Sequence, residues 1–483
     1  MNADLTPDLL YTFTPTITCR SISKRFTLLK KIIYTAIPVF LLCCFVVKST
    51  TAQVTFNLTD AQITGQQDQT ISQASGSFLG SLLLGSLDYA STTGTGNFVT
   101  TAGSPDLPLS VAHVRVNSIG TINLGGARPE ITLSSQSQSL YAWLLNIGAG
   151  ALTLNFRLGI AGTAWNAGTY TSVNSLTYTT PATQTLTINV PSFLTVNTSP
   201  ANVVLNVASL ANFRSGSLTG SHSFDHSTSL ATDLKLKSNL PSFTFSTTHP
   251  KIADPAVTAN SVQAALTSPT GGSTISLAAT DQALSTNIPV QATNRRSMTT
   301  QFSVNAASLK ASIAQAGTYT LPLSYTLAKH TTANGTALSA STPATLQIVV
   351  PRLFEFIVPM ADVLLNINSV STYRNGVTVV SAPFMLSSTV PYNLSVSASG
   401  DFTNGSGATI PANTVVVEGI ASETGVVTVA LTNTAQTLIS GASPVIDRNL
   451  RLQYRIPADR TTNLLGKTAG TYQSTITYTF TAP

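Results

Sequence analysis

Cysteine is nearly absent: three residues in 483, at Cys19, Cys43 and Cys44. All lie within the first 52 residues. A chain cut after residue 52 would hold no disulfide, no Cys-ligated metal and no thiol nucleophile, so its stability would rest on core burial. Charge is scarce too, at 9% of residues, which excludes the highly charged composition of disordered chains. Beyond residue 52 there are four glutamates, Glu130, Glu355, Glu418 and Glu423. Glycoside hydrolysis needs two carboxylates held at a defined separation, and no spacing pairs these glutamates or the aspartates. Gly-x-Ser-x-Gly, Gly-Lys-Ser/Thr phosphate loops and His-Glu-x-x-His are missing as well. Gly94-Thr95-Gly96 lacks the third glycine of a nucleotide loop and reads as a turn. No catalytic, cofactor-binding or metal-ligating set is expected, and the chain is not read as an enzyme.

What the chain has in excess is hydroxyl: Ser and Thr together make up roughly a quarter of it, well above ordinary usage. Its formal charge of +6 comes from 24 Lys and Arg against 18 Asp and Glu. Most of it sits in residues 1–52, and the remainder carries 18 basic and 16 acidic residues. Without a dense basic stretch there, a nucleic-acid partner is not expected. Lys24-Arg25 and Lys30-Lys31 precede an apolar run over 32–47, and Thr50-Thr51-Ala52 supplies small residues before Gln53. This is the order of a secretory signal peptide over 1–52. The run is short for a spanning helix of about 20 residues. The alternative is a single uncleaved N-terminal anchor, the chain's only expected contact with a membrane. Either way the bulk is exported, to the periplasm, the outer surface or the medium.

The rest of the chain repeats. Ala-Gly-Thr-Tyr stands at 167–170, 316–319 and 469–472. Before each copy comes Leu-x4-Gln-x-Leu: Leu133-Gln138-Leu140, Leu277-Gln282-Leu284 and Leu431-Gln436-Leu438. Between the two anchors an alternating strand recurs, beginning at Leu152, Met298 and Leu450. Three anchors in one order, three times over, predict three modules. The joins also match. Pro181-Ala-Thr with Leu186-x-Ile188-x-Val190-Pro191 parallels Pro343-Ala-Thr with Leu346-x-Ile348-x-Val350-Pro351. Proline ends ladder pairing, so the modules are placed at 53–190, 191–350 and 351–483. Joins this apolar predict docked modules rather than a flexible string.

Period-2 alternation dominates, with no convincing helix outside the signal segment. Short Thr/Val/Tyr/Ile runs between Gly, Pro, Asn and Asp predict an all-β chain of three tandem immunoglobulin-like β-sandwich modules. In each Ala-Gly-Thr-Tyr copy the glycine supplies a bend and the tyrosine a core anchor. The ending Ala469-Gly-Thr-Tyr-Gln-Ser-Thr-Ile-Thr-Tyr-Thr-Phe480 resembles the terminal strands of secreted bacterial fimbrial and spore-coat-U-like sandwich domains. That resemblance implies an immunoglobulin-like sandwich and a role on a surface or appendage. Members often carry a disulfide, which a chain cut after Ala52 cannot form.

The densest polar group is His222-Ser-Phe-Asp225-His226. On a strand the two imidazoles would share a face with Phe224, and Asp225 would point away. The simpler expectation is a polar loop at the start of the second module. Trp143 and Trp165 would stack on sugar rings if exposed, although core packing is the expected use. Arg451 and Arg455 alternate with Leu452, Tyr454 and Ile456, which predicts a basic outer strand face; a solvated face is the expected use, and contact with acidic polysaccharide or lipopolysaccharide the alternative. Together these features point to an exported bacterial envelope or surface protein, structural or adhesive, whose partner is a cell-surface protein or polysaccharide. The alternatives are a carbohydrate-binding surface protein and a subunit of a fimbria-like polymer. The oligomeric state is left open. For the polymer, Val54-Thr-Phe56-Asn-Leu58 would be donated to a neighbour's sheet ahead of a polar linker over 62–73. The preferred expectation is that it is the first strand of its own module, and that every module carries its own terminal strand.

Overall fold

The computed structural model describes residues 52–79, 84–100, 103–127, 129–178, 182–197, 201–249 and 252–482. The signal segment therefore lies outside the described residues, Ala52 excepted. Among the described residues no helix is long and apolar enough to cross a membrane. From Ala52 onward the chain is a series of β-sandwiches with three hydrophobic cores.

The second module shows the plan most completely. One sheet runs in the order Leu194–Val196, Ser217–Thr228, Arg295–Asn305, Gln263–Ser268, Thr274–Ser276. The facing sheet runs Ala201–Asn206, Ser339–Val350, Gly317–Lys329, Thr232–Ser238, Gln282–Ile288. Strict alternation buries Tyr319, Leu321, Leu323, Tyr325 and Leu327 from one strand against the core, because successive side chains point to opposite faces. The last strand of the module, Ser339–Val350, is inserted between the antiparallel Gly317–Lys329 and the parallel Ala201–Asn206. The first module repeats this arrangement. Ala182–Val190 lies between the antiparallel Gly168–Thr177 and the parallel Ala52–Asn57. Val54 and Phe56 are fully buried there, so this segment packs on its own module. The polar stretch that follows is not a linker: it forms a helix, Asp60–Gly65, and the start of strand Gln69–Leu79. The first module also adds an edge strand, Ile122–Ala127, beside Gln138–Ile147.

The expectation of no helix is corrected at three places, Asp60–Gly65, Ala306–Ser312 and Val370–Asn375. Each is a short turn held by its cap. Thr59 accepts from the Gln62 amide while the Gln62 side chain accepts from the Thr59 amide, the reciprocal pair that satisfies free amides at a helix start. Segments of six or seven residues are too short to show a helical apolar stripe. The histidine expectation is corrected too. Ser217–Thr228 is a strand, not a loop, and it turns His222, Phe224 and His226 into the core with Asp225 outside. His222 stacks on Tyr325 with ring centroids 5.2 Å apart. Burial, reinforced by nearby Arg296, drops His226 to a pKa of about 4 against the partial opposing pull of the Arg296 backbone and Asp225.

Candidate functional site

All three Ala-Gly-Thr-Tyr copies fold into one corner. Their glycines have φ of 151°, 156° and 152° at Gly168, Gly317 and Gly470, a conformation that favours glycine. In each the tyrosine hydroxyl donates to the carbonyl four residues back: Tyr170 to Asn166 at 2.8 Å, Tyr319 to Gln315 at 3.0 Å, Tyr472 to Thr468 at 2.9 Å. This is the tyrosine corner of immunoglobulin-type sandwiches. Burial pushes Tyr170 up to about 12, and it raises Tyr319 further.

The surroundings of the third corner differ. Tyr170 and Tyr319 are completely buried, whereas Tyr472 is half-buried. In register, Tyr170 faces Ile188 and Tyr319 faces Ile348 on the inserted last strand. In the third module Tyr392–Ala398 pairs with Ile476–Thr481 as Thr232–Ser238 pairs with Gly317–Lys329. Ile476–Thr481 is thus the counterpart of Gly317–Lys329, not of the closing strand. This corrects the expectation that every module carries its own terminal strand: among the described residues nothing occupies that place in the third. On the other bank, Val363, Leu365 and Ile367 match Val203, Leu205 and Val207, which are buried. Val207 donates its amide to the Val349 carbonyl at 2.9 Å, and Leu58 likewise to Asn189 at 3.0 Å. Residues 363–367 have no such strand beside them and form no ladder.

The result is an apolar slot. Its floor is an aromatic cluster: Phe356 stacks on Phe480 at 5.7 Å and on Phe384 at 5.8 Å, and Tyr478 meets Phe384 edge-on at 4.9 Å. The Tyr454 and Tyr478 hydroxyls pair beneath it, and burial raises both. Ile476–Thr481 has no fully buried residue, whereas Gly317–Lys329 has five. Leu364 is 61% exposed and Phe354 64%. Sequence reasoning missed the slot. The available signal was that the Pro-Ala-Thr…Val-Pro strand occurs twice while the tyrosine corner occurs three times.

The other candidates are placed as follows. Trp165 is fully buried and donates its ring N–H to the Ile160 carbonyl at 2.9 Å. Trp143 is 4% exposed, stacked on Tyr141 and closed off by Gly85. Neither ring presents a face to a sugar. Arg451 and Arg455 do lie outside the buried Leu452, Tyr454 and Ile456. The basic face is partly neutralised, because Arg455 binds Glu418 at 3.1 Å and Arg448 binds Glu423 at 2.8 Å. Burial works to raise the Glu418 carboxyl, but hydrogen bonds from Gln453, Arg455 and Thr428 outweigh it and hold the group low. The four residues lie in two separate modules and form no common site. A second apolar surface lies on the first module, where Leu84, Ile122, Leu124, Leu144 and Ile147 are 48–81% exposed around Trp143.

No protein-family model matches the chain, and no curated protein does. Solved structures do. One is the chaperone–tip adhesion subunit pre-assembly complex of the archaic Csu pili of Acinetobacter baumannii. It is 15% identical, covers 60% of this chain and 99% of that one, and has a TM-score of 0.27. Another is CfaE, the adhesive subunit of the CFA/I fimbria of enterotoxigenic Escherichia coli, at 13% identity, 62% and 98% coverage and a TM-score of 0.24. A third is the CupB6 tip adhesin of Pseudomonas aeruginosa, at 10% identity, 59% and 90% coverage and a TM-score of 0.27. These three neighbours are tip or adhesive subunits of pili and fimbriae. Overlap at these TM-scores establishes nothing further about this chain.

Proposed function

We propose that this chain is an exported, non-catalytic surface protein with a structural and adhesive role, whose third module is completed by an added β-strand. The carrying observation is the slot between residues 363–367 and Ile476–Thr481, in the place that Ala182–Val190 and Ser339–Val350 fill in the other two modules. An unpaired sheet edge over an apolar floor is a template for strand addition, in which main-chain bonds give affinity and alternate side chains give specificity. The module limits 53–190, 191–350 and 351–483 belong to this reading, with each inserted strand closing the module before it and leading into the next. The signal over 1–52 and the surface location belong to it as well.

The test is direct. A synthetic peptide of residues 339–351 is added to the whole protein, and hydrogen exchange of 476–481 is followed by mass spectrometry. Its Leu346, Ile348 and Val350 would each bury a side chain worth about 1.5–3 kcal/mol, against the entropy of ordering a free peptide. Slowed exchange of 476–481, lost when Leu346 and Ile348 are replaced by Asp in the peptide, supports the reading. Unchanged exchange at millimolar peptide refutes it.

The adhesive half is favoured by the exposed Leu84, Ile122, Leu124, Leu144 and Ile147, which suit an apolar surface. Replacing Leu124 and Leu144 by Ser should reduce retention on a hydrophobic matrix by at least tenfold while leaving the fold intact. Undiminished retention would remove that surface from the reading.

A further inference from the structure

The two joints in the chain are chemically the same, and the third tyrosine corner keeps one half of that joint. At the first, the Ala167 amide donates to the Ser229 carbonyl at 2.8 Å. The Ser229 hydroxyl donates to the Pro191 carbonyl at 2.7 Å and accepts from the Phe193 amide at 3.0 Å. At the second, the Ala316 amide donates to the Thr389 carbonyl at 2.7 Å. The Thr389 hydroxyl donates to the Pro351 carbonyl at 2.8 Å and accepts from the Leu353 amide at 2.8 Å. In both the hydroxyl residue lies 38 residues after the proline that ends the inserted strand. It is preceded by a second hydroxyl, Thr228 or Ser388, that closes the turn on Leu230 or Val390. The alanine is always the first residue of the corner.

At the third corner Ala469 has the same neighbours in sequence, the same glycine conformation and the same tyrosine bond, but it is exposed. No hydrogen bond of its amide is seen among the described residues. We propose that Ala469–Tyr472 is the docking corner for a further sandwich module. This rests on the strand-acceptor reading and adds to it what the partner must carry. Its donated strand alternates apolar residues and ends in proline. A Ser/Thr pair follows that proline, its second member at the spacing of 38 residues that separates Pro191 from Ser229 and Pro351 from Thr389. The carbonyl of that second member takes the Ala469 amide. A second copy of this chain does not fit. Ser229 follows Val207 at the same spacing as Thr389 follows Ile367, and that spacing counted from Leu58 reaches Gly80. The place of the proline before Gly80 falls on Leu42. The partner is therefore a rigidly docked module rather than a loose peptide, identifiable from its sequence by that spacing.

The test uses the whole chain, with Cys19, Cys43 and Cys44 replaced by Ser, followed directly by a second copy of residues 330–483 that carries Thr481→Ser as a mass tag and supplies the loop, the strand and a module with the signature. Ala469→Cys is combined with Thr389→Cys in the appended copy. The chain beyond residue 52 has no other cysteine. The reference is Ala316→Cys with Thr389→Cys in the unextended chain, across a joint already present. The expected results are slowed hydrogen exchange of 476–481 in the first copy, told from the appended one by its mass tag, and disulfide formation within about threefold of the reference rate. Slowed exchange with a disulfide more than a hundredfold slower than the reference overturns the docking corner and leaves the strand reading standing. Unchanged exchange of 476–481 overturns both.

Discussion

If the closing strand is what buries the tyrosine corner, the same truncation must have different consequences in the second and third modules. Tyr319 is completely buried, its ring 4.8 Å from Phe245 and its hydroxyl bonded to Gln315. Tyr319→Ala removes a large ring from a packed site and leaves the Gln315 carbonyl short of a partner, a loss of about 3–5 kcal/mol. Tyr472 makes the same hydroxyl bond, to Thr468, yet it is only partly buried, so the surroundings lose less packing. Tyr472→Ala should cost about 1–2 kcal/mol, mostly the hydrogen bond. Hydrogen exchange with mass spectrometry separates the two, because fragments covering 317–329 and 476–481 report each module's opening on its own. The Tyr319 variant should speed exchange of its strand by about two to nearly four powers of ten, and the Tyr472 variant by about one. With the 339–351 peptide bound, the Tyr472 loss should move toward the Tyr319 value. Equal losses in the two modules without peptide would refute the idea that a missing strand distinguishes them.

Four further outcomes follow from named contacts. His226 is held near pKa 4 by burial and titrates near 6.5 when unfolded, so between these values the unfolded state holds more protons. Second-module stability should therefore fall by about 3 kcal/mol as pH drops from 6.5 to 4 and then level off; His226→Phe should flatten that slope in pH-dependent urea melts. Asn294 accepts from the Trp165 amide at 3.0 Å and donates to the Trp165 and Thr228 carbonyls at 2.8 Å. Asn294→Ala should cost about 2–4 kcal/mol and loosen the first joint, read as a larger radius of gyration in small-angle scattering. Gly317→Ala would place Cβ 2.5 Å from the Phe245 ring and 2.6 Å from the Ser246 carbonyl, and should speed exchange of 317–329 at least a hundredfold. Protein recovered outside the cytoplasm should begin at or near Gln53 by N-terminal sequencing; an intact segment 1–52 would indicate an anchor instead.

The sequence alone determined the class of fold, because period-2 alternation and turn residues act within a few positions of each other. It determined the threefold repeat through Ala-Gly-Thr-Tyr, whose glycine conformation and tyrosine bond are local and recur at Gly168, Gly317 and Gly470. It also placed Arg451 and Arg455 outside Leu452, Tyr454 and Ile456, since alternation sets faces. The tertiary structure decided what lies beside each strand. The ending Ala469–Phe480 reads like a finished terminal strand, yet its pairing with Tyr392–Ala398 makes it the counterpart of Gly317–Lys329. Nothing within that stretch records the strand that should cover it. In the same way Trp143 and Trp165 are closed over by Gly85, Tyr141 and Ile160, partners that no local pattern names. The basic face looks free until Glu418 and Glu423 arrive from more than 20 residues away. Alternation tells which side a residue faces. Whether that side meets protein or water depends on partners brought from far along the chain, and those come only with the fold.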